Sequence, residues 1–249
     1  MLTPYLVHGW VSTPERLAIA AGVTVGFAVL ARVLRGVNRS GALAGGLACL
    51  LLFAGGGPAA FATLGALFAM TWVSTRLGHR RKLALGLAER REGRNGWQVL
   101  ANLAIAAIAS VLFSATGNRA WLVAAVAALA EAATDTVASE IGQYRRADAR
   151  MITTLQRVPA GTDGGVTIPG SSAGLAAGLV ITVVAAVGGI LPQSQLWIPV
   201  VSGFAGMLFD SLLGATIQRR GWVSNQAVNF FATLAAGGVA YGIVVSVLP

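Results

Sequence analysis

The stretch WLVAAVAALAEAATDTVASEIGQ, running from Trp121 to Gln143, decides how the whole chain is read. Its first ten residues are apolar with no polar face, the pattern of a helix buried all round or crossing a bilayer. Three acids follow: Glu131, Asp135 and Glu140. If the span starts near Arg119, Glu131 falls near mid-membrane. At 1.5 Å per residue, Asp135 then lies about 6 Å and Glu140 about 13 Å nearer the cytoplasm. An ionised residue at a helix centre costs roughly 2.5–3.5 kcal/mol on insertion scales, which makes such acids functional candidates. Glu131 and Asp135 share a face, as do Asp135 and Ser139. Glu140 lies about 140° around from Asp135 and joins the same site only if the helix ends or unwinds, for which Gly142 offers a place.

The rest of the chain agrees with a membrane setting. Of 249 residues, 55% are hydrophobic and 11% charged, against about 25% charged in an ordinary soluble domain. Mean hydropathy is +0.72. A soluble enzyme with a polar coat is excluded. Apolar spans are expected at roughly 16–35, 41–55, 58–76, 97–115, 120–140, 172–191, 197–217 and 226–248. The expected fold is therefore an all-α polytopic membrane protein, one transmembrane domain over 1–249 with about eight helices, or seven because the second span is short. Cys49 is the single cysteine, so internal disulfides are excluded, and His8 with His79 cannot build a zinc site. Lys82, the only lysine, follows Arg81 and not glycine, so there is no Walker A loop. Met1 to Thr13 lacks the basic start of a cleavable signal, so the first span is expected to be retained.

Net charge of +9 could suggest nucleic acid, but no basic stripe is interleaved with aromatics, and no nucleic-acid partner is expected. Topology explains the excess. Sixteen of the eighteen basic residues fall in alternate connections, Arg90, Arg91 and Arg146 among them, and only Arg16 and Arg119 fall on the other side. The positive-inside rule makes the sixteen cytoplasmic and both termini external. Loops at approximately 77–96 (basic) and 141–171 (glycine-rich) then face the cytoplasm of a bacterial or archaeal-type plasma membrane.

Other polar residues crowd the same side. The seventh span carries Asp210 and Ser211 in its cytoplasmic half and ends at Gln218. The eighth opens with Ser224, a suitable N-cap, and with Asn225 and Asn229 on one face. The fourth opens with Gln98, followed by Asn102. Buried amides of this kind also serve as interhelical glue. Polar groups gathered on one half of the spans describe a one-sided catalytic bowl; a transporter places its ligands near the midplane. Only Glu131 is deep. The likeness of Asp135-Thr136-Val137-Ala138 to Asp210-Ser211-Leu212-Leu213, each before a basic loop, hints at an internal repeat.

The longest loop contains Gly161-Thr162-Asp163-Gly164-Gly165, and Ser171 and Ser172 then open a helix. Glycines let backbone amides crowd an anion, and a helix N-terminus adds aligned donors. A bare GTDGG is also an ordinary turn. Beside several acids on one membrane face, a phosphate site with a divalent metal is the better reading. Carboxylates for Mg²⁺, a glycine cradle and arginines such as Arg157 are the parts that phosphoryl transfer needs. The other substrate should be a lipid, its tail held in an apolar groove between spans.

Several motifs agree in order: DTVASEIG (135–142), GTDGGVTIPGS (161–171), DSLLGATIQ (210–218), the Asn225/Asn229 pair, Arg39-Ser40-Gly41-Ala42, and Asn95 through Asn102. Over roughly residues 35–235 this combination resembles the integral-membrane family that includes plastid phytyl-phosphate kinase, distantly similar to polyprenol kinases and CDP-diacylglycerol synthases. The resemblance implies a nucleotide-dependent kinase, often CTP-using, of isoprenoid phosphates. By the same resemblance, Asp135, Glu140 and Asp210 would hold Mg²⁺ with Asp163 and form the catalytic set. Gly161, Thr162, Asp163, Gly164 and Gly165 would wrap the phosphates of CTP or ATP, with Ser171, Ser172 and Ser211 nearby. Arg76, Lys82 and Arg157 would clamp donor or acceptor phosphate, and Gln98, Asn102, Gln218, Asn225 and Asn229 would complete the polar wall. The expected reaction is γ-phosphate transfer to an isoprenyl phosphate such as phytyl or geranylgeranyl phosphate, at the cytoplasmic face. An isoprenoid alcohol kinase, a cytidylyltransferase, and a lipid transporter or flippase are the alternatives.

Overall fold

The computed structural model describes residues 10–84, 86, 92–145 and 148–247. Arg90, Arg91 and Arg146, counted above for topology, and part of the basic 77–96 loop lie outside them. Eight α-helices and three short strands follow in order: α1 (Pro14–Val33), α2 (Arg39–Arg76), α3 (His79–Ala84), α4 (Gly96–Thr116), α5 (Ala120–Arg145), β1 (Ala149–Met151), β2 (Arg157–Val158), β3 (Gly165–Val166), α6 (Ile168–Val187), α7 (Trp197–Leu213) and α8 (Asn225–Val247). Seven of the described helices are long and apolar enough to cross a membrane.

The 38 residues of α2 would reach about 57 Å if straight, nearly twice a bilayer core. They do not run straight. Gly57, with φ 64° and ψ −155°, breaks the helix just before Pro58, and proline is well placed at a new helix start. The Trp10 amide donates to the Ala54 carbonyl at one end of the molecule (2.7 Å). At the other end, a Cβ on Gly36 would touch the Phe68 ring, and the Trp72 indole donates to the Leu34 carbonyl. Residues 39–56 and 58–76 are therefore two antiparallel arms. Seven helices make eight traverses, and the short second span is the first arm.

The α5 helix is the hub, packed against α2, α4, α6, α7 and α8. Its alanine-rich half is buried on every side, from Ala120 through Ala133 apart from Trp121. Small side chains let neighbours close in. On α6, Gly170, Gly174 and Gly178 lie against the backbone or side chains of Ala138 and Thr134, where a Cβ would come within 2.5 Å. Gly203 and Gly206 of α7 approach Ala130 and Glu131 in the same way.

All the polar connections meet at one end. There Asn38 caps α2 by accepting from the Gly41 amide (3.0 Å), and the Ser40 hydroxyl, itself a donor to Asn38, accepts from the Gly96 amide (3.1 Å). Asn95 and Gln98 form a reciprocal capping box at the start of α4. The α5 helix continues past Gly142 to Arg145 without unwinding, and Gly142 makes room for the Thr167 side chain instead. The loop that follows is shorter than 141–171, because α6 already begins at Ile168. It carries an antiparallel sheet in the order β2-β1-β3, which the apolar patterning gave no sign of. Exposed Trp97 and Trp222 at this end and Trp197 at the other sit where interfacial aromatics belong.

Candidate active site

A cavity of about 390 Å³ opens among α4, α5, α7, α8 and the glycine loop. Asp135 and Ser139 reach it from α5, Asp210 and Ser211 from α7, Asn225 and Asn229 from α8, and Gln98 and Asn102 from α4. The loop adds Gly161, Thr162, Asp163, Gly164 and Gly165, and α6 adds Ser171. Gln218 lines it from a single π-helical turn, Gly214–Gln218, that ends α7; such turns recur at functional sites. Gly164 seats the loop on that turn. Its φ of +77° and an approach that would put a Cβ 2.4 Å from the Ala215 backbone both demand glycine.

Asp210 lies near enough to both Asp135 and Asp163 for its charge to repel theirs across this space. The Asp210 Oδ2 atom is buried without a hydrogen-bond partner among the described residues. No three His, Cys, Asp or Glu side chains among those residues are grouped to cage a metal. Magnesium asks for less: one or two carboxylates, with phosphate oxygens and water completing the shell. Asp135 and Asp210, with Asp163 at the rim, fit that demand.

Four expected contributions differ, and a fifth residue, Arg76, lies in another cavity. Lys82 is no phosphate clamp. Its buried ammonium donates to the Ser74 and Thr75 carbonyls (3.2 and 2.9 Å) and pairs with the Glu140 carboxylate, which uses all three donors. Glu140 edges the cavity, but this pairing commits it to tying α3 to α5, so it is not a free metal ligand. Arg157 is exposed on β2 and pairs with Asp148 at 3.2 Å, away from the cavity. Ser172 points outward and does not line it. Arg76 belongs to a second, mostly apolar cavity of about 520 Å³ among α1, α2, α3 and α4.

Arg94 is the residue that the sequence reading counted for topology and did not assign to the site. Its amide donates to the Gly36 carbonyl and its carbonyl accepts from the Asn38 amide, both at 3.0 Å. Gly93, at φ +83°, sits against the Gly36–Val37 backbone. The backbone so fixed places the guanidinium against Thr136 Oγ1 (3.4 Å), within electrostatic reach of Asp135. Its position directly before the Asn95-Gly96-Trp97-Gln98 motif was the available signal. Arg94, Gln98 and Asn102 line both cavities and form the wall between them. Two of these are also structural: Gln98 completes the capping box, and Asn102 donates to the Gln98 carbonyl (2.8 Å).

Glu131, deep under this site, is almost fully buried, and its Oε1 has no hydrogen-bond partner among the described residues; nor has the Ser202 hydroxyl.

Comparison with known proteins agrees with a membrane protein of this kind. The chain is 34% identical over 174 residues to an uncharacterised membrane protein of Synechocystis sp., covering 68% of this chain and 67% of that one. It is 34% identical over 166 residues to an uncharacterised membrane protein of Methanocaldococcus jannaschii, covering 66% and 67%. To the chloroplastic protein VTE6 of Arabidopsis thaliana it is 27% identical over 206 residues, covering 79% of this chain and 62% of VTE6. No solved structure matches. The family model described as integral membrane protein DUF92 matches residues 22–237, and the chain belongs to that family.

Proposed function

We propose that the protein is a membrane phosphotransferase moving the γ-phosphate of a nucleoside triphosphate, CTP favoured, onto an isoprenyl phosphate. The products are a nucleoside diphosphate and the isoprenyl diphosphate. The observation that carries this reading is the pair of cavities, one polar and one apolar, joined at Arg94, Gln98 and Asn102. A lipid tail in the apolar cavity brings its head to the shared wall, where the polar cavity presents the donor.

The glycine loop holds the donor phosphates through backbone amides, with Ser171 beside it at the start of α6. Asp135 and Asp210 would hold magnesium with Asp163, and the ion would neutralise phosphate charge. Arg94 spreads negative charge at the point of transfer. The acceptor needs no general base. A phosphomonoester has a second pKa near 6, so at neutral pH it is already largely a dianion. One of its oxygens forms the new P–O bond as the bond from the γ-phosphorus to the β-bridging oxygen breaks, and that oxygen leaves on the nucleoside diphosphate. The orientation of the site towards the cytoplasm belongs to the same proposal.

The test offers γ-labelled CTP or ATP, with Mg²⁺, to purified protein in detergent together with farnesyl, geranylgeranyl or phytyl phosphate. Labelled isoprenyl diphosphate, lost in Asp135→Asn, supports the reading. Nucleotide binding without transfer overturns it in favour of an alcohol kinase or, if pyrophosphate is released, a cytidylyltransferase. The orphaned Glu131 favours a second reading, a lipid carrier. Lipid flux in proteoliposomes without nucleotide would support that alternative.

A further inference from the structure

The apolar cavity has a charged mouth. Its walls include Phe27, Leu64, Leu67, Phe68 and Leu103, while Arg35, Arg76, His79 and the shared Arg94 gather at the polar end. No carboxylate among the described residues lines it. Arg35, Arg76 and His79 beside apolar walls, with no acid among the described residues lining the cavity to neutralise them, form an arrangement that an anion would stabilise.

The mouth is also built, in the sense that its groups are held. Arg76 stacks over the Trp72 ring, 3.9 Å from its centroid, and donates to the Leu34 carbonyl. Arg35 adopts φ 53°, a left-handed conformation uncommon outside glycine. This turn ends α1 and leaves the two guanidinium groups near enough to repel each other. Among the described residues the Arg35 and His79 side chains make no hydrogen bond or ion pair. They have donors to spare. The slot descends from Arg76 to Leu64, twelve residues along one arm of α2, or about 18 Å.

We propose that this cavity binds a single-chain apolar phosphomonoester, its tail against Phe27, Leu64 and Phe68 and its phosphate held by Arg35, Arg76 and His79. The inference rests on the acceptor half of the function proposed above and assigns that acceptor its own site. A single slot leading from a single cationic cluster suits one chain. Arginine is the side chain best shaped for the phosphate, because its planar fork can bind two oxygens at once. The cluster selects phosphate over free alcohol, which offers no charge to the guanidinium groups. Arg94 then stands between the bound head and the donor cavity.

Binding is measured without nucleotide, so that it is separate from catalysis. Tritiated farnesyl monophosphate is bound to the full chain in detergent and displaced with unlabelled farnesyl monophosphate, farnesol, inorganic phosphate or dioleoyl phosphatidic acid. Farnesyl monophosphate should compete at least tenfold better than the other three. Arg35→Ala and Arg76→Ala should each weaken binding about tenfold or more, while nucleotide binding stays unchanged. Because Arg76 also ties α2 to Leu34, Arg35→Ala, which removes no internal bond, keeps the test sound if Arg76→Ala fails to fold. Equal competition by farnesol, or unchanged binding in Arg35→Ala, overturns the phosphate assignment. Equal competition by phosphatidic acid overturns the single-chain assignment, and equal competition by inorganic phosphate overturns the tail site. If farnesyl monophosphate binds as expected and no nucleotide supports transfer, the site stands and the proposed reaction falls.

Discussion

Asp135 lines an open polar cavity beside Arg94, whereas Lys82 is sealed against two carbonyls and a carboxylate. Substitutions at the two should therefore fail in different ways. Asp135→Asn keeps shape and hydrogen-bonding capacity but loses the charge that a magnesium–phosphate complex needs. Its turnover in the transfer assay should fall by roughly 10²–10³, the scale seen when a group stabilising transition-state charge is removed, with thermal stability in detergent little changed. Lys82→Met leaves Glu140 facing a partner that is gone. It should lower stability by on the order of 2–3 kcal/mol, somewhat below a fully buried pair because Glu140 is partly exposed. In a double-mutant cycle, adding Glu140→Gln should cost much less than it does alone. If Lys82→Met abolished lipid-phosphate binding with stability intact, the structural assignment of Lys82 would be wrong. The acids at 135 and 210 were legible because carboxylates are expensive at these depths, and Asp163 because it sits inside the glycine run of the loop. The fate of Lys82 was not, because a basic residue in a loop reads the same whether it clamps a substrate or caps a helix C-terminus.

Glycine shows the same limit one level up, among the helices. The Gly22/Gly26 pair of α1 matches a small-residue helix-packing pattern, yet a Cβ at either position would meet nothing within 4 Å among the described residues outside its own helix. Gly170, Gly174 and Gly178 are each pressed against α5. Spacing does not separate the two cases in a chain with 32 glycines; only the position of the neighbouring helix does. Gly178→Leu should drive α6 off Thr134 and cost about 1–3 kcal/mol or more in thermal unfolding, as overpacking does. Gly22→Leu, facing open space, should stay within about 0.5 kcal/mol. Comparable losses from both would show that α6 does not depend on close approach. Gly164→Ala is the functional counterpart, since a Cβ there meets the Ala215 backbone and the positive φ is strained. It should weaken nucleotide binding about tenfold or more while leaving the bundle's melting temperature nearly unchanged. Helix spans were legible to within a few residues from hydropathy alone. The small sheet was not, because strands of two or three residues carry no periodicity to read.

At the scale of the molecule, the fold-back at Gly57 fixes the parity of the traverses. Eight traverses return the described part of the chain to the end where it began, so Trp10 and Val247 lie at the end opposite the polar cavity. Had α2 been a single crossing, every later helix would have been inverted, and Arg94 with the acids of α5 and α7 would have lain at the far end from Arg35 and Asn38. Which end faces the cytoplasm depends on the sixteen basic residues gathered around the polar connections. Cys49, the single cysteine, is fully buried and gives a silent background for labelling. Thr153, exposed in the loop between β1 and β2, and Ser194, exposed between α6 and α7, mark the two ends. In cells expressing the chain, Ser194→Cys should react with a membrane-impermeant maleimide when the cells are intact. Thr153→Cys should react only after permeabilisation. The reverse pattern would turn the catalytic face outward, away from the cytoplasmic nucleotide pool, and would sink the kinase reading even with every cavity residue correctly placed. Labelling of both in intact cells would show that the two loops share one side, contradicting α6 as a crossing helix.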